Sequence, residues 1–123
     1  MLNRFRIHRV SFQHAFDGIV YTVKSQPNFR FHLLASICAT LLGIYFQISL
    51  IEWLVIIFTI NMVLVAEMVN TSIESVIDLI TLERRQDAKI AKDVSAGMVL
   101  VSAVLAICIG FVIFLPKIII SLS

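Results

Sequence analysis

Residues 94–115 contain no charged side chain, and this one stretch limits the fold more than any other feature of the chain. Its apolar residues run on without polar alternation, which excludes a half-buried strand. A segment immersed in hydrocarbon must satisfy its own backbone N–H and C=O groups, and a helix does so. At 1.5 Å per residue such a helix covers the roughly 30 Å of a bilayer core. Residues 31–50 and 53–80 are apolar over similar or greater lengths. The chain of 123 residues is 59% hydrophobic with a mean hydropathy of +0.97, against about 45–50% apolar residues in a soluble domain. The sequence therefore predicts an all-α integral membrane protein, one domain over 1–123 with membrane helices at 31–50, 53–80 and 94–115.

Ahead of the first run, residues 4–24 place Phe5, Phe12, Phe16, Ile19 and Val23 at helical spacing, with Arg6, Arg9, Gln13, Asp17 and Lys24 opposite. A basic amphipathic helix of this kind lies in the headgroup region; a solvated helix packed on a neighbour is the alternative. "SQPN" then breaks the pattern, since Pro27 is tolerated only in the first turn of the next helix. The net charge is only +2, but the basic residues are unevenly placed. Arg4, Arg6, Arg9, Lys24 and Arg30 precede or open the first run, and Arg84, Arg85, Lys89 and Lys92 lie between the second and third. The positive-inside rule puts the N-terminus and the 81–93 loop in the cytoplasm. Lys117 is then an interfacial anchor on the outer side. The N-terminal region does not fit a signal peptide, because a polar stretch with Asp17 separates its basic residues from the first apolar run. Cys38 and Cys108 sit inside apolar runs and are expected to be small packing residues rather than a disulfide or metal pair.

The second run carries groups that lipid does not welcome. Glu67, Asn70, Glu74 and Asp78 follow one another at steps of three and four. On a helix they fall at about 0°, 300°, 340° and 20°, a single stripe. Measured from Trp53 as an outer-interface marker, Glu67 lies about 21 Å further in, Glu74 about 31 Å and Asp78 about 37 Å. Glu67 is thus inside the cytoplasmic half of the bilayer, Glu74 at its boundary and Asp78 in water. A carboxylate at the depth of Glu67 costs about 3 kcal/mol or more unless it meets protein, water or a partner. Packing or oligomer register would account for a lone glutamate, but not for an amide and two more acids in line. A polar track from lipid depth to cytosol suits chemistry between a lipid headgroup and a cytosolic reagent.

Beyond it, "DAKIAKDVSAG" sets Lys89, Lys92, Asp93 and Ala96 where the third run begins. Lysines there commonly reach lipid phosphates. Facing an acidic track, Lys92 beside Asp93 also suits nucleotide phosphates with a divalent cation, since Mg²⁺ takes carboxylate and phosphate oxygens together. His8, His14 and His32 lack metal-ligand spacing, so a zinc site is not expected.

"AEMVNTSIESVIDL" closely resembles the signature E-x-x-N-[ST]-[AS]-I-E-x-x-[VI]-D of the small prokaryotic diacylglycerol kinase family. "AKDVSAGMVLV" is similar to its A-K-D-x-[AG]-[AS]-x-A-V-L segment, and "FDGIVYTVKS…NFRFH" to its approach to the first span. "IEWL" and "FLPKI" resemble the Gram-positive branch, whose members are mostly undecaprenol kinases. The resemblance implies a homotrimer with three membrane helices per subunit, a surface helix, and active sites between subunits. There MgATP phosphorylates a lipid alcohol. It further implies that Glu67 is the general base, Glu74 the metal-binding acid and Asn70 the polar residue beside them. Lys92 and Asp93 match nucleotide contacts, and Glu83, Arg84 and Arg85 lie where the family's loop covers the adenosine, with "ERR" in place of its usual Tyr-His.

One departure bears on the metal. Where the family has a second metal-binding glutamate before the first span, this chain has Gln26, followed by Pro27, and no acid lies between Asp17 and Glu52. An amide oxygen can coordinate Mg²⁺ but brings no charge. The expectation is an ATP-dependent lipid kinase acting on undecaprenol, with diacylglycerol as the alternative substrate. A non-catalytic membrane protein, either a proton-conducting assembly or a regulatory subunit with a decayed site, is the alternative that Gln26 would support.

Overall fold

The computed structural model describes residues 2–123, with side chains described from Ser11 onward. The side chains of Arg4, Phe5, Arg6, His8 and Arg9 in the amphipathic pattern lie outside the described ones. Four helices follow in order: α1 (Leu2–Ser25), α2 (Pro27–Tyr45), α3 (Leu50–Ile80) and α4 (Gln86–Leu122). Pro27 stands at the start of α2, where its missing N–H costs nothing. Two of the helices, α3 and α4, are long and apolar enough to cross a membrane. α2, with 19 residues, carries Arg30 and His32 near its start. In α1, Phe12 and Phe16 are exposed and unpacked, an apolar face left for something other than this chain.

The apolar core lies at one end of the bundle, around the α2–α3 turn. Ile48, Ile56, Ile113 and Phe114 are buried there, with Phe46 and Trp53 against them. Gln47, at φ 48°, takes the left-handed conformation that ends α2 and turns the chain toward α3. Ser49 caps α3: its hydroxyl accepts from Glu52 N–H at 3.3 Å, and its own N–H donates to the Glu52 carboxylate at 2.8 Å. Glu52 also pairs with Lys117 of α4 at 2.8 Å. Trp53, expected to mark the outer interface, is half-buried and lies over Gly43.

That approach makes Gly43 a position where size matters. A Cβ there would come within 2.8 Å and 3.0 Å of the Trp53 ring and 3.1 Å of Ile48 Cδ1. The indole is rigid and cannot fold away. Gly43→Ala should therefore destabilise the protein by about 1–3 kcal/mol, the usual cost of overpacking. Thermal unfolding in detergent measures it, and Trp53→Phe in the same chain should recover most of the loss. An unchanged midpoint in the single variant would mean that the ring simply shifts.

Three expectations need correction. α2 ends at Tyr45 rather than near residue 50, because the turn at Gln47 intervenes. α4 does not stop at residue 115 but runs through Pro116 to Leu122. Proline removes only the hydrogen bond to the Val112 carbonyl, and the helix is held on both sides of the gap. Ile113 and Phe114 are buried before it and Lys117 is pinned to Glu52 after it. Cys38 and Cys108 are exposed on the chain rather than packed in a core. A helix facing lipid gains little by burying an apolar side chain, so a thiol can stay on its outer surface.

Candidate functional site

The stripe along α3 faces two helices in turn. Glu67 points at α2, where its Oε1 lies 3.3 Å from His32 Nε2. The Glu67 side chain is 2% exposed and that of His32 is 16% exposed. The geometry there does not make a hydrogen bond, and among the described residues Glu67 Oε1 has no hydrogen-bond donor. A buried acceptor with a vacant lone pair is expensive, and in a functional site it commonly awaits a ligand. Beyond His32, toward the middle of the bundle, a cleft of about 230 Å³ opens between α2, α3 and α4. Ala35, Ile60, Val63, Ala103 and Ala106 make it apolar and leave it open.

One turn further along α3, the stripe turns to α4. Ser95 is buried at the α3–α4 contact, and its hydroxyl donates to Asn70 Oδ1 at 2.7 Å. With its oxygen thus engaged, Asn70 presents its Nδ2 to Glu74 Oε1, at a long 3.4 Å. Ser95 is a residue that the sequence reading passed over; it sits three residues beyond Lys92 on the same helix face. At the end of the stripe, Lys92 Nζ donates to Asp78 Oδ1 at 2.6 Å. This bond ties the end of α3 to the start of α4 across the loop.

The adjacent residues Lys92 and Asp93 make different ion pairs within the chain. Asp93 bonds Lys89 one turn back. Neighbours on a helix point about 100° apart, so the two side chains serve different sectors. Glu83, Arg84, Arg85, Lys89, Lys92 and Asp93 nevertheless line one surface cleft of about 550 Å³ at the α3–α4 loop. Gln26 immediately precedes α2, half-buried, and its side chain makes no capping bond there.

Among the described residues no group of three or more His, Cys, Asp or Glu side chains could cage a metal ion. The oxygen donors are dispersed: a Glu74 carboxylate held only by one long bond, and the uncommitted Gln26 amide. Carboxylate and amide oxygens are the donor types that a hard cation such as Mg²⁺ takes alongside phosphate oxygens and water.

The sequence model described as prokaryotic diacylglycerol kinase matches residues 13–114. The undecaprenol kinase of Bacillus subtilis is 43% identical over 116 residues, which cover 94% of this chain and 92% of that protein. A diacylglycerol kinase of Synechocystis sp. is 35% identical over 108 residues, 87% of this chain and 62% of the relative. The matched stretch holds the whole α3 stripe, Ser95 and the lysines of the loop cleft, and the chain belongs to the prokaryotic diacylglycerol kinase family.

Proposed function

We propose that this membrane lipid kinase transfers the γ-phosphoryl group of ATP to undecaprenol, with Glu67 as the general base. The observation that carries the reading is the buried Glu67 Oε1, left without a donor beside His32, whose ring lines an apolar cleft. A lipid hydroxyl arriving along that cleft would supply the missing hydrogen bond and the proton to be removed. The O–H bond breaks toward Glu67, the oxygen bonds to Pγ, and the Pγ–O bond to ADP breaks. Phosphoryl transfer asks chiefly for alignment and charge neutralisation. Lys92, with Arg84, Arg85 and Lys89 in the loop cleft, offers positive charge to the phosphates. Asn70, Asp93 and Glu83 border the nucleotide in this reading.

Glu74, assisted by Gln26, would hold Mg²⁺, which when bound neutralises phosphate charge. Gln26→Glu tests the second of these. It should shift a Mg²⁺ titration of kinase rate to lower concentration at saturating ATP and lipid, because a carboxylate binds the ion more tightly than an amide. Superimposable curves would remove position 26 from the metal. An inactive parent rescued by the glutamate would favour the decayed-site reading.

The assembly in this proposal is a homotrimer, with α2 as a third crossing, α1 on the inner leaflet, and the N-terminus and 81–93 loop in the cytoplasm. Charge placement supports the orientation. The extensive apolar exposure of α3, including Leu54, Phe58 and Val65, supports contact with lipid or other subunits. Undecaprenol is preferred to diacylglycerol because the Bacillus subtilis relative is matched at higher identity and over nearly its whole length. The test offers both lipids side by side, in mixed micelles with MgATP, to the purified protein. Faster phosphorylation of undecaprenol is expected, and the reverse ranking would transfer the assignment to diacylglycerol. No product from either lipid would restore the non-catalytic alternative.

A further inference from the structure

The role of Glu67 leaves a question about its proton. The side chain is 2% exposed, so a proton taken from a lipid hydroxyl has no direct way back to water. Glu74, the other ionisable group felt by Glu67, is about 10 Å further along the same helix. Asp78 is committed to Lys92. His32 contacts Glu67 at 3.3 Å, and its side chain, which lines the cleft in the early turns of α2, is 16% exposed against 2% for Glu67. An imidazole can take a proton at one nitrogen while releasing one at the other.

We infer that His32 is a positioning residue that acts through Glu67, holding the carboxylate toward the lipid hydroxyl and relaying its proton outward. The inference rests on Glu67 being the base. In the full cycle the hydroxyl proton moves to Glu67 as the oxygen bonds to Pγ and ADP leaves. It then passes from Glu67 to His32 Nε2, and the imidazolium loses a proton to water, which restores both side chains. No other side chain need intervene between Glu67 and His32: at 3.3 Å a rotation of the imidazole suffices to align the hydrogen bond along which the proton passes. The local sequence also fits: His32 lies in the early turns of α2, on the side of the bundle where the stripe begins, and the adjacent Phe31 faces outward at 69% exposure.

The experiment compares parent, His32→Gln and His32→Ala as purified full-length proteins in mixed micelles, with Glu67→Gln as the reference. Glutamine keeps the size and can donate a hydrogen bond to Glu67, but it cannot carry a proton at neutral pH. A purely structural role predicts that His32→Gln works like the parent. The relay predicts a kcat lowered about tenfold or more in both variants, with the KM for MgATP unchanged. Added imidazole should restore part of the rate in His32→Ala, more strongly as pH rises and the free base accumulates. A His32→Gln enzyme with parental kcat would overturn the relay. So would a slow His32→Ala enzyme, folded by thermal unfolding, whose rate no imidazole concentration improves; if His32→Ala does not fold, His32→Gln decides alone. The two readings fail separately. Turnover in Glu67→Gln removes the base itself, whereas an inactive Glu67→Gln beside a fully active His32→Gln removes only the relay.

Discussion

Glu67→Gln should leave a folded, membrane-embedded protein that binds nucleotide and phosphorylates almost no lipid. The expected loss in kcat is about 10²–10⁴-fold, the range typical of a removed general base. Three features of the site motivate the prediction. The carboxylate is buried at 2% exposure, its Oε1 has no donor, and it contacts His32 of the apolar cleft rather than the charged loop. It is therefore placed to meet a lipid hydroxyl and is poorly placed to meet phosphates. Glutamine matches the shape and cannot accept a proton. Because the substitution also removes a carboxylate from hydrocarbon, stability should not fall. The decisive readout is single-turnover phosphoryl transfer beside nucleotide binding and thermal unfolding. Substantial turnover in the pure variant would sink the base assignment, whereas lost nucleotide binding would mean that Glu67 serves the other substrate.

How much of this site could be seen in the sequence depends on whether a relation runs along one helix or between two. The stripe from Glu67 to Asp78 was visible because helical periodicity alone puts four polar residues on one face of α3. Pro27 likewise marked a helix start by its chemistry. Partners across helices were not visible. His32 was judged by its spacing to other histidines, but its neighbour is an acid 35 positions away on α3. Ser95 is a small residue at the start of an apolar run, and its importance comes from facing Asn70 at the α3–α4 contact. The separate ion pairs of Lys92 and Asp93 were not visible either. The helix turns between them, giving one to Asp78 and the other to Lys89. The third run was expected to end at residue 115, just before Pro116, and α4 passes through it. The local preference of proline is to end a helix, and the Lys117–Glu52 pair that holds the helix beyond it is a tertiary contact.

Glu74→Gln should fail differently from Glu67→Gln, although both are single-atom changes on one face of one helix. Glu74 lies about 10 Å from Glu67 toward the charged end. There it is half-buried and makes one long bond to Asn70. The opposite side of Asn70 is fixed by Ser95, so the amide is held in place whatever binds at Glu74. A carboxylate so lightly engaged is free to take a cation that comes with ATP. Removing its charge weakens a hard-cation site far more than it alters the shape. With Gln26 already neutral, no second acid compensates from the start of α2. The expected result is a Mg²⁺ requirement raised about tenfold or more, a matching rise in the KM for ATP, and partial recovery of kcat at high Mg²⁺. The KM for lipid should stay near the parent value, because the apolar cleft is untouched. Kinase rates across a Mg²⁺ series, with MgATP binding measured by calorimetry, separate the two substitutions. If Glu74→Gln bound MgATP as the parent does, the metal would have to be held elsewhere, and Asp78 would be the next carboxylate to replace.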